Sequence, residues 1–596
     1  MREDGYAPIR DYAALGDGRT TALVARDGAI DWLCLPNMDS PSVFGALLDA
    51  EKGGRFGLAP TEPFESERRY VPDTNVLETT FRTATGSVRV TDALAIPSEG
   101  LEPLREVVRR VEGLSGAVEL EWAVEPRFAY GTRAPRLGRR NGVSVAEAAG
   151  DAVSVRAWDA GEPEIADGAI SARFEAREGS RSLVVLAAAH QEPLVLPGRE
   201  ESERRLDATV RFWQEWVRER GYEGPWRDEV VRSALALKLL VYSPSGAIVA
   251  AATTSLPEVL GGERNWDYRY AWVRDAAFTL ESLLDLGCPA EAHAFFWWLL
   301  HASQITHPRL LVLYRVDGSA HAGESELPLS GYRGSSPVRV GNEAIEQRQL
   351  DIYGDLFETV WAYFRRGNAV DRETGKRLAE TADLVCRIWR DRDRGLWEVR
   401  SEALHFTQSK MMCWVALDRA VRLAEAGVVP AERAAAWRQE ADELRAFVET
   451  RCFSEEKKSY VRAADGDELD AGLLLASLRG YAGGREERVQ GTIDAIRREL
   501  ADGPFVRRYT EEDGLEGEEG SFLACSFWLV EALGRAGRRD EAAALMEELL
   551  PLANDVGLYA EQIDPKTGEL LGNFPQGLTH LGLVSAAVAC AEEDAS

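Results

Sequence analysis

Beyond about residue 200 the chain alternates tight and long links between helical segments, and that alternation restricts the folds open to it. Twelve segments carry helical periodicity, near 226–242, 271–286, 289–303, 350–366, 372–389, 404–426, 430–451, 468–477, 485–499, 520–535, 539–552 and 577–592. Links out of even-numbered segments are short: GCP, GNAV, AGVVP and AGR follow the second, fourth, sixth and tenth. Links out of odd-numbered segments are long, roughly 243–270, 304–349, 390–403, 452–467, 500–519 and 553–576. A tight link forces its two helices to lie antiparallel. Six such pairs with every long link at one end predict a ring of helical hairpins, an (α/α)6 barrel. Its functional face belongs at the end that carries the long loops.

Residues 1–200 follow a different period. TTALVAR and AIDWLCL flank Asp27–Gly28 as a hairpin would. Short alternating runs follow, among them VLETTFRT, SVRVTDAL, AVELEWAVEP and SLVVLAAA, punctuated by Gly, Pro and Asp. Many short strands without helices between them predict an antiparallel β-sandwich. The expected organisation is therefore multidomain β + α: a sandwich over 1–200, a linker helix over 201–225 and the barrel over 226–596. A loop of the first domain, Pro36–Phe44, is expected to reach the mouth of the site.

A net charge of −29 and the lack of Lys/Arg clusters argue against nucleic acid as partner. The seven cysteines lie far apart with no CxxC, so neither a disulfide framework nor a zinc site is expected. Seven histidines form no metal-ligand spacing, and no metal or cofactor is expected; phosphate and Mg²⁺ leave no signal in the sequence. The N-terminus lacks the apolar core of a signal peptide and no run is long enough for a membrane span. A cytoplasmic location, with no membrane partner, is the expectation, and a homo-oligomer stays open.

The long loops hold the unusual residues. The first ends in NWDYRYAWVRD, where aromatics alternate with charges of both signs. Arg274 and Asp275 stand where the second helix begins; Asp275 could simply cap that helix, or the pair could grip adjacent hydroxyls. The third loop places Glu398 directly after Trp397, and a carboxyl against an indole is desolvated and kept protonated unless Arg400 opposes it. Taken alone, a W-E dipeptide is more often an acid on an exposed strand. In the sixth loop Glu561 follows Tyr559, ahead of a DPKTGE turn; by itself it reads as a surface acid. The fifth sets Arg508 beside Tyr509, followed by glutamates that read as solvated charges. Two carboxylates at one end, among rings and guanidinia, meet the requirement for hydrolysing an acetal: one protonates the leaving oxygen, the other activates water or attacks directly.

Long motifs in this order resemble family 15 of the glycoside hydrolases, which holds glucoamylases, glucodextranases and bacterial and archaeal trehalases. DYAALGDGRTTALVARDGAIDWLCLPNMDSPSVFGALLD is similar to the family's N-terminal opening. NWDYRYAWVRDAAFTL, GYRGSSPVRVGN, GLWEVR and AEQIDPKTGELLGNFPQGLTHLGL resemble its barrel motifs. The resemblance implies an inverting enzyme that removes glucose from non-reducing ends of α-glucosides. It makes Glu398 the general acid and Glu561 the general base. Arg274, Asp275 and Arg508 would hold the terminal glucose, and Trp272 and Trp397 would wall the subsite. Trehalose is the favoured substrate, since neither a secretion signal nor a starch-binding appendage is seen; glucoamylase or glucodextranase action on an α-glucan is the alternative. From other classes, a disaccharide phosphorylase or a non-catalytic glucan-binding protein stays open.

Overall fold

A computed structural model describes residues 2–96, 105–399, 402–509 and 520–591. The first domain is built on antiparallel strands in two layers that share one member. Its hairpin pairs Thr21–Ala25 with Ile30–Cys34, and Gly28 takes the positive φ of +84° that the turn needs. The shared strand is Glu106–Val124. Its first half pairs with Gly86–Leu94 and Arg181–His190, its second half with Phe56–Pro60 and Ala169–Arg177. Gly116, at φ +64°, lies where the partners change.

Helix α1 (Arg199–Arg218) joins the two regions. Arg205 and Ser202 both bond Glu106 of the shared strand, the former at 2.9 Å. At the far end of the helix Trp216 donates to Glu291, 2.7 Å away in the helical region.

Among the described residues twelve helices follow, one for each segment expected from the links. They are α2 (Arg227–Leu239), α3 (Ala276–Asp285), α4 (Pro289–Ala302), α5 (Ile352–Arg365), α6 (Arg372–Ile388) and α7 (Thr407–Glu425). The rest are α8 (Ala434–Arg451), α9 (Leu475–Leu478, preceded by the 3₁₀ turn Ala471–Leu474), α10 (Glu487–Glu499), α11 (Leu523–Arg535), α12 (Arg539–Leu549) and α13 (Gly577–Ala591). Helices α3, α5, α7, α9, α11 and α13 pack successively, and α13 closes back on α3. The sequence separates inner from outer members. Inner α11, LACSFWLVEALGR, is apolar nearly all round and buries twelve of its thirteen residues, whereas outer α8 buries only Trp437, Ala441, Leu444 and Val448. Each large apolar side chain sealed in this ring contributes about 1.5–3 kcal/mol. Every inner helix follows a long loop, so the long loops gather at the inner N-termini. Among the described residues no helix is long and apolar enough to cross a membrane.

Loop Pro36–Phe44 packs behind the NWDYRY stretch rather than at the mouth of the site. Arg269, fully buried, clamps Asp267 with two bonds of 2.7 and 2.9 Å and spends another N–H on the Ser40 carbonyl at 2.8 Å. A buried guanidinium needs more acceptors than one carboxylate supplies, and the loop provides one. Asp39 of the same loop pairs with Arg315 at 2.8 Å.

Candidate active site

A cavity of about 410 Å³ opens among the long loops. Its walls include Glu258, Trp266, Tyr268, Trp397, Glu398 and Arg508.

Glu398 stands on a loop that α7 holds down. Buried Lys410 donates to the carbonyls of Trp389 and Asp391 at 2.6 and 2.5 Å, and Ser409 donates to Asp393 at 2.7 Å. The chain then turns through Gly395 (φ +68°), and Glu398 itself takes φ +58°. A non-glycine residue in that region is strained, and such strain collects at functional sites. Trp272 Nε1 donates to Glu398 Oε1 at 2.8 Å and Arg274 Nη1 to the same oxygen at 3.1 Å. Oε2 makes no hydrogen bond among the described residues. The indole touching this carboxyl is therefore Trp272, not the adjacent Trp397 as the sequence suggested. Because the backbone turns at Glu398, Trp397 points elsewhere and donates to Asp470 at 2.8 Å. Arg400 lies outside the described residues, as do the fifth-loop glutamates after residue 509.

Arg274 also donates to the Leu396 carbonyl at 2.9 Å, fixing the turn before Glu398. Asp275 begins α3, but its side chain caps no backbone N–H; it accepts from Arg274 Nε at 3.1 Å. The capping explanation for Asp275 thus has no bond behind it. Burial pushes its carboxyl pKa up, and Arg274 opposes the shift.

Glu561 comes from a small sheet in which Gln562–Ile563 pairs with both Ser521–Phe522 and Leu570–Leu571. The DPKTGE turn closes this hairpin, with Asp564 N bonded to the Glu569 carbonyl at 2.8 Å. Glu561 is fully buried. Asn573 N donates to Oε2 at 3.0 Å, while Oε1 has no hydrogen-bond partner among the described residues. Burial and the neighbouring Glu258 carboxylate push its pKa up, against the Asn573 bond and the Arg508 charge.

Tyr268 links the two acids. Burial raises its hydroxyl pKa well above the usual range, and the charges of Glu561, Glu258 and Glu398 all add to this. One side chain lies within electrostatic reach of all three carboxylates. Arg508 donates to Glu258 Oε2 at 2.8 Å and faces Trp397 at 5.6 Å, so it stands between the two walls. The seven residues singled out from sequence thus gather at one end of the barrel. Glu258 and the position of Tyr268 between the acids were missed. Nothing in SLPEVLGG sets Glu258 apart from a loop acid, and an aromatic in an aromatic-rich stretch does not announce which ring faces the acids.

Glu398 at the cavity and buried Glu561, both acting on Tyr268 in the cavity wall, match the pair of carboxyls that hydrolysis of a glycosidic bond needs. The chain belongs to glycosyl hydrolases family 15: residues 224–588 match that family, and residues 3–208 match the trehalase-like N-terminal family. A trehalase of Mycolicibacterium smegmatis is 40% identical, with 99% of this chain and 92% of the relative aligned. A trehalase of Thermoplasma acidophilum is 37% identical over 95% of this chain and 97% of its own. Among solved structures, a bacterial glucoamylase complexed with acarbose superposes with a TM-score of 0.74 at 13% identity, covering 99% of this chain and 95% of that one. At that identity the likeness is one of fold.

Proposed function

We propose that this protein hydrolyses trehalose to two glucose molecules with inversion at the attacked carbon. The observation that carries the chemistry is a pair of acids acting on one ring of the cavity wall, Tyr268: Glu398, itself at the cavity, and Glu561, buried, with Oε1 unbonded among the described residues. Near-full-length similarity to relatives named trehalase supports the substrate.

Trp272 and Arg274 occupy Glu398 Oε1, so a proton on this carboxyl belongs on Oε2. From there it passes to the glycosidic oxygen as the bond to the anomeric carbon breaks. The ring develops oxocarbenium character, and a water adds from the opposite face. Glu561 Oε1 takes the water's proton. Arg274, Asp275 and Arg508 orient the glucose hydroxyls, while Trp272 and Trp397 offer flat apolar surface to the ring. Water resets both acids after release. In the cell we place the enzyme in the cytoplasm, a reading supported by seven cysteines none of which is in a disulfide.

The test is incubation with trehalose, maltose, isomaltose and soluble starch while NMR follows the anomer released. β-Glucose appearing first, and from trehalose, is expected; α-glucose first rejects inversion. Glu398→Gln and Glu561→Gln should each lower turnover by about 10²–10⁴-fold with the fold intact. Near-normal turnover in either variant removes that residue from its role.

A further inference from the structure

Loop Pro36–Phe44 does more than back the NWDYRY stretch. It also borders a cavity of about 370 Å³ walled wholly by the first domain, nearly the volume of the candidate active site. Small-molecule sites run upward from about 300 Å³. Backbone bonds tie its walls together. Tyr130 N donates to the Ser42 carbonyl at 3.2 Å and Arg127 N to the Val43 carbonyl at 2.9 Å, which fastens the 127–133 segment to the loop. Asp151 stands opposite His190 in the paired strands Asp151–Trp158 and Arg181–His190. Ala129, Ala149 and Gln191 border the cavity with φ of +51°, +50° and +53°. None is glycine, and strain of this kind collects at ligand sites.

The polar groups on these walls are mixed. Asp151 Oδ1 lies 2.5 Å from His190 Nδ1, a bond that fixes the ring and leaves Nε2 unbonded among the described residues. Asn37 Oδ1 accepts from the Tyr242 hydroxyl at 2.9 Å, and its amide NH2 makes no bond among the described residues. The exposed side chains of Gln191 and Arg133 likewise make none there. Hydroxyls donate and accept at once, and amides, an imidazole and a carboxylate together answer both needs. An anion would meet the Asp151 carboxylate, and a cation the Arg133 guanidinium. Phe128, buried in the same wall, adds apolar surface of the kind a pyranose face covers.

Ser40 joins this cavity to the active one. It borders the first-domain cavity, and its carbonyl accepts from Arg269 Nη1 at 2.8 Å. Arg269 clamps Asp267. Asp267 Oδ2 accepts from Gly341 N at 3.1 Å, and its carbonyl from Asn342 Nδ2 at 3.3 Å. Asn342 borders the active cavity. Ser40, Arg269, Asp267 and Asn342 are all buried, so a ligand that moves Ser40 moves an acceptor on which this packed line depends.

We propose that the first-domain cavity is a second sugar site, which takes a mono- or disaccharide, and that its occupancy reaches the active cavity along Ser40, Arg269 and Asp267. The site stands apart from the hydrolysis proposed above; its effect on rate rests on that reading.

The experiment is histidine-ring NMR of the full-length chain at fixed pH. The chain has seven histidines, and the His190 signal is the one missing from His190→Gln. Glucose, which hydrolysis does not consume, should shift that signal in a saturable way. With Arg133→Ala and Gln191→Ala combined, both at exposed positions, the same shift should need about tenfold more glucose. A His190 signal that stays still as glucose rises overturns the site, and so does a shift that the double variant leaves unchanged. Initial rates on trehalose test the coupling. Wild-type rates should depart from simple saturation as the second site fills, and the double variant should follow simple saturation over the same range. Simple saturation in the wild type, with His190 shifting, overturns the coupling. A chain that shifts at His190 but never cleaves trehalose upholds the site and defeats the function proposed above.

Discussion

The loop of Glu398 and the hairpin of Glu561 both bring an acid to bear on Tyr268 of the cavity wall, yet they present their acids by opposite means. Glu398 sits on irregular backbone in a left-handed conformation, partly open to solvent, with both donors on one oxygen. Glu561 sits at the edge of a regular hairpin, sealed from solvent, with one backbone N–H on one oxygen and a second acid nearby. An acid that hands its proton to a bulky leaving sugar must be reachable. A base that handles a single water can be dry, and dryness makes its charge sensitive to each neighbour. The two sides should therefore fail differently when altered.

The largest effect beyond the acids themselves should come from Gly572. Its φ is +71°, and a Cβ there meets the Glu561 carboxylate. Gly572→Ala displaces the base, and a shift near 1 Å costs about 10²-fold in turnover. Stopped-flow glucose release checks this, with little change expected in KM. If turnover survives, the base side tolerates movement and the contrast with Glu398 collapses. Trp272→Phe keeps a ring but removes the 2.8 Å donor to Glu398 Oε1. About a tenfold loss in kcat is expected, because Arg274 still holds the same oxygen. A loss matching Glu398→Gln would mean that Trp272, not Arg274, fixes the acid.

The smallest effect concerns stability rather than rate. Asp351 lies fully buried at the start of α5 with neither carboxyl oxygen bonded to a described residue, and burial beside Asp393 pushes its pKa up to about 7. A folded-state pKa above the unfolded value near 4 means that the folded chain binds the extra proton between those limits. Stability from this group is thus present at low pH and is lost as pH rises from about 4 to 7. Asp351→Asn removes that loss, so its melting temperature should gain on wild type as pH rises through the window. A gap independent of pH would show that Asp351 does not titrate there.

The barrel was legible because link length is a topological signal: GCP and GNAV leave no room for anything but a hairpin. Burial then sorted inner from outer helices along lines already drawn by composition, as in LACSFWLVEALGR. The reach of the catalytic loops was legible too, since all the long links share one end. Contacts within those loops were not. Trp397 adjoins Glu398 in sequence, yet positive φ at the acid turns the indole toward Asp470. Glu258 looked like any loop acid, because what distinguishes it is Arg508, 250 positions away. Asp267 and Arg269 sit in the same charged stretch as Arg274 and Asp275, but they bond each other and the first domain. Residue type alone does not separate a scaffold pair from a ligand pair.

The reach of Arg269 back to Ser40 bears on whether the two regions can be separated. Five positions before Arg274, the barrel's NWDYRYAWVRD stretch takes a carbonyl from the leading domain. A helical toroid transplanted without that domain would leave Arg269, though still paired with Asp267, short of an acceptor. The two regions are thus joined beneath the site and not only along the chain, and cutting them apart should loosen the stretch that leads into Arg274.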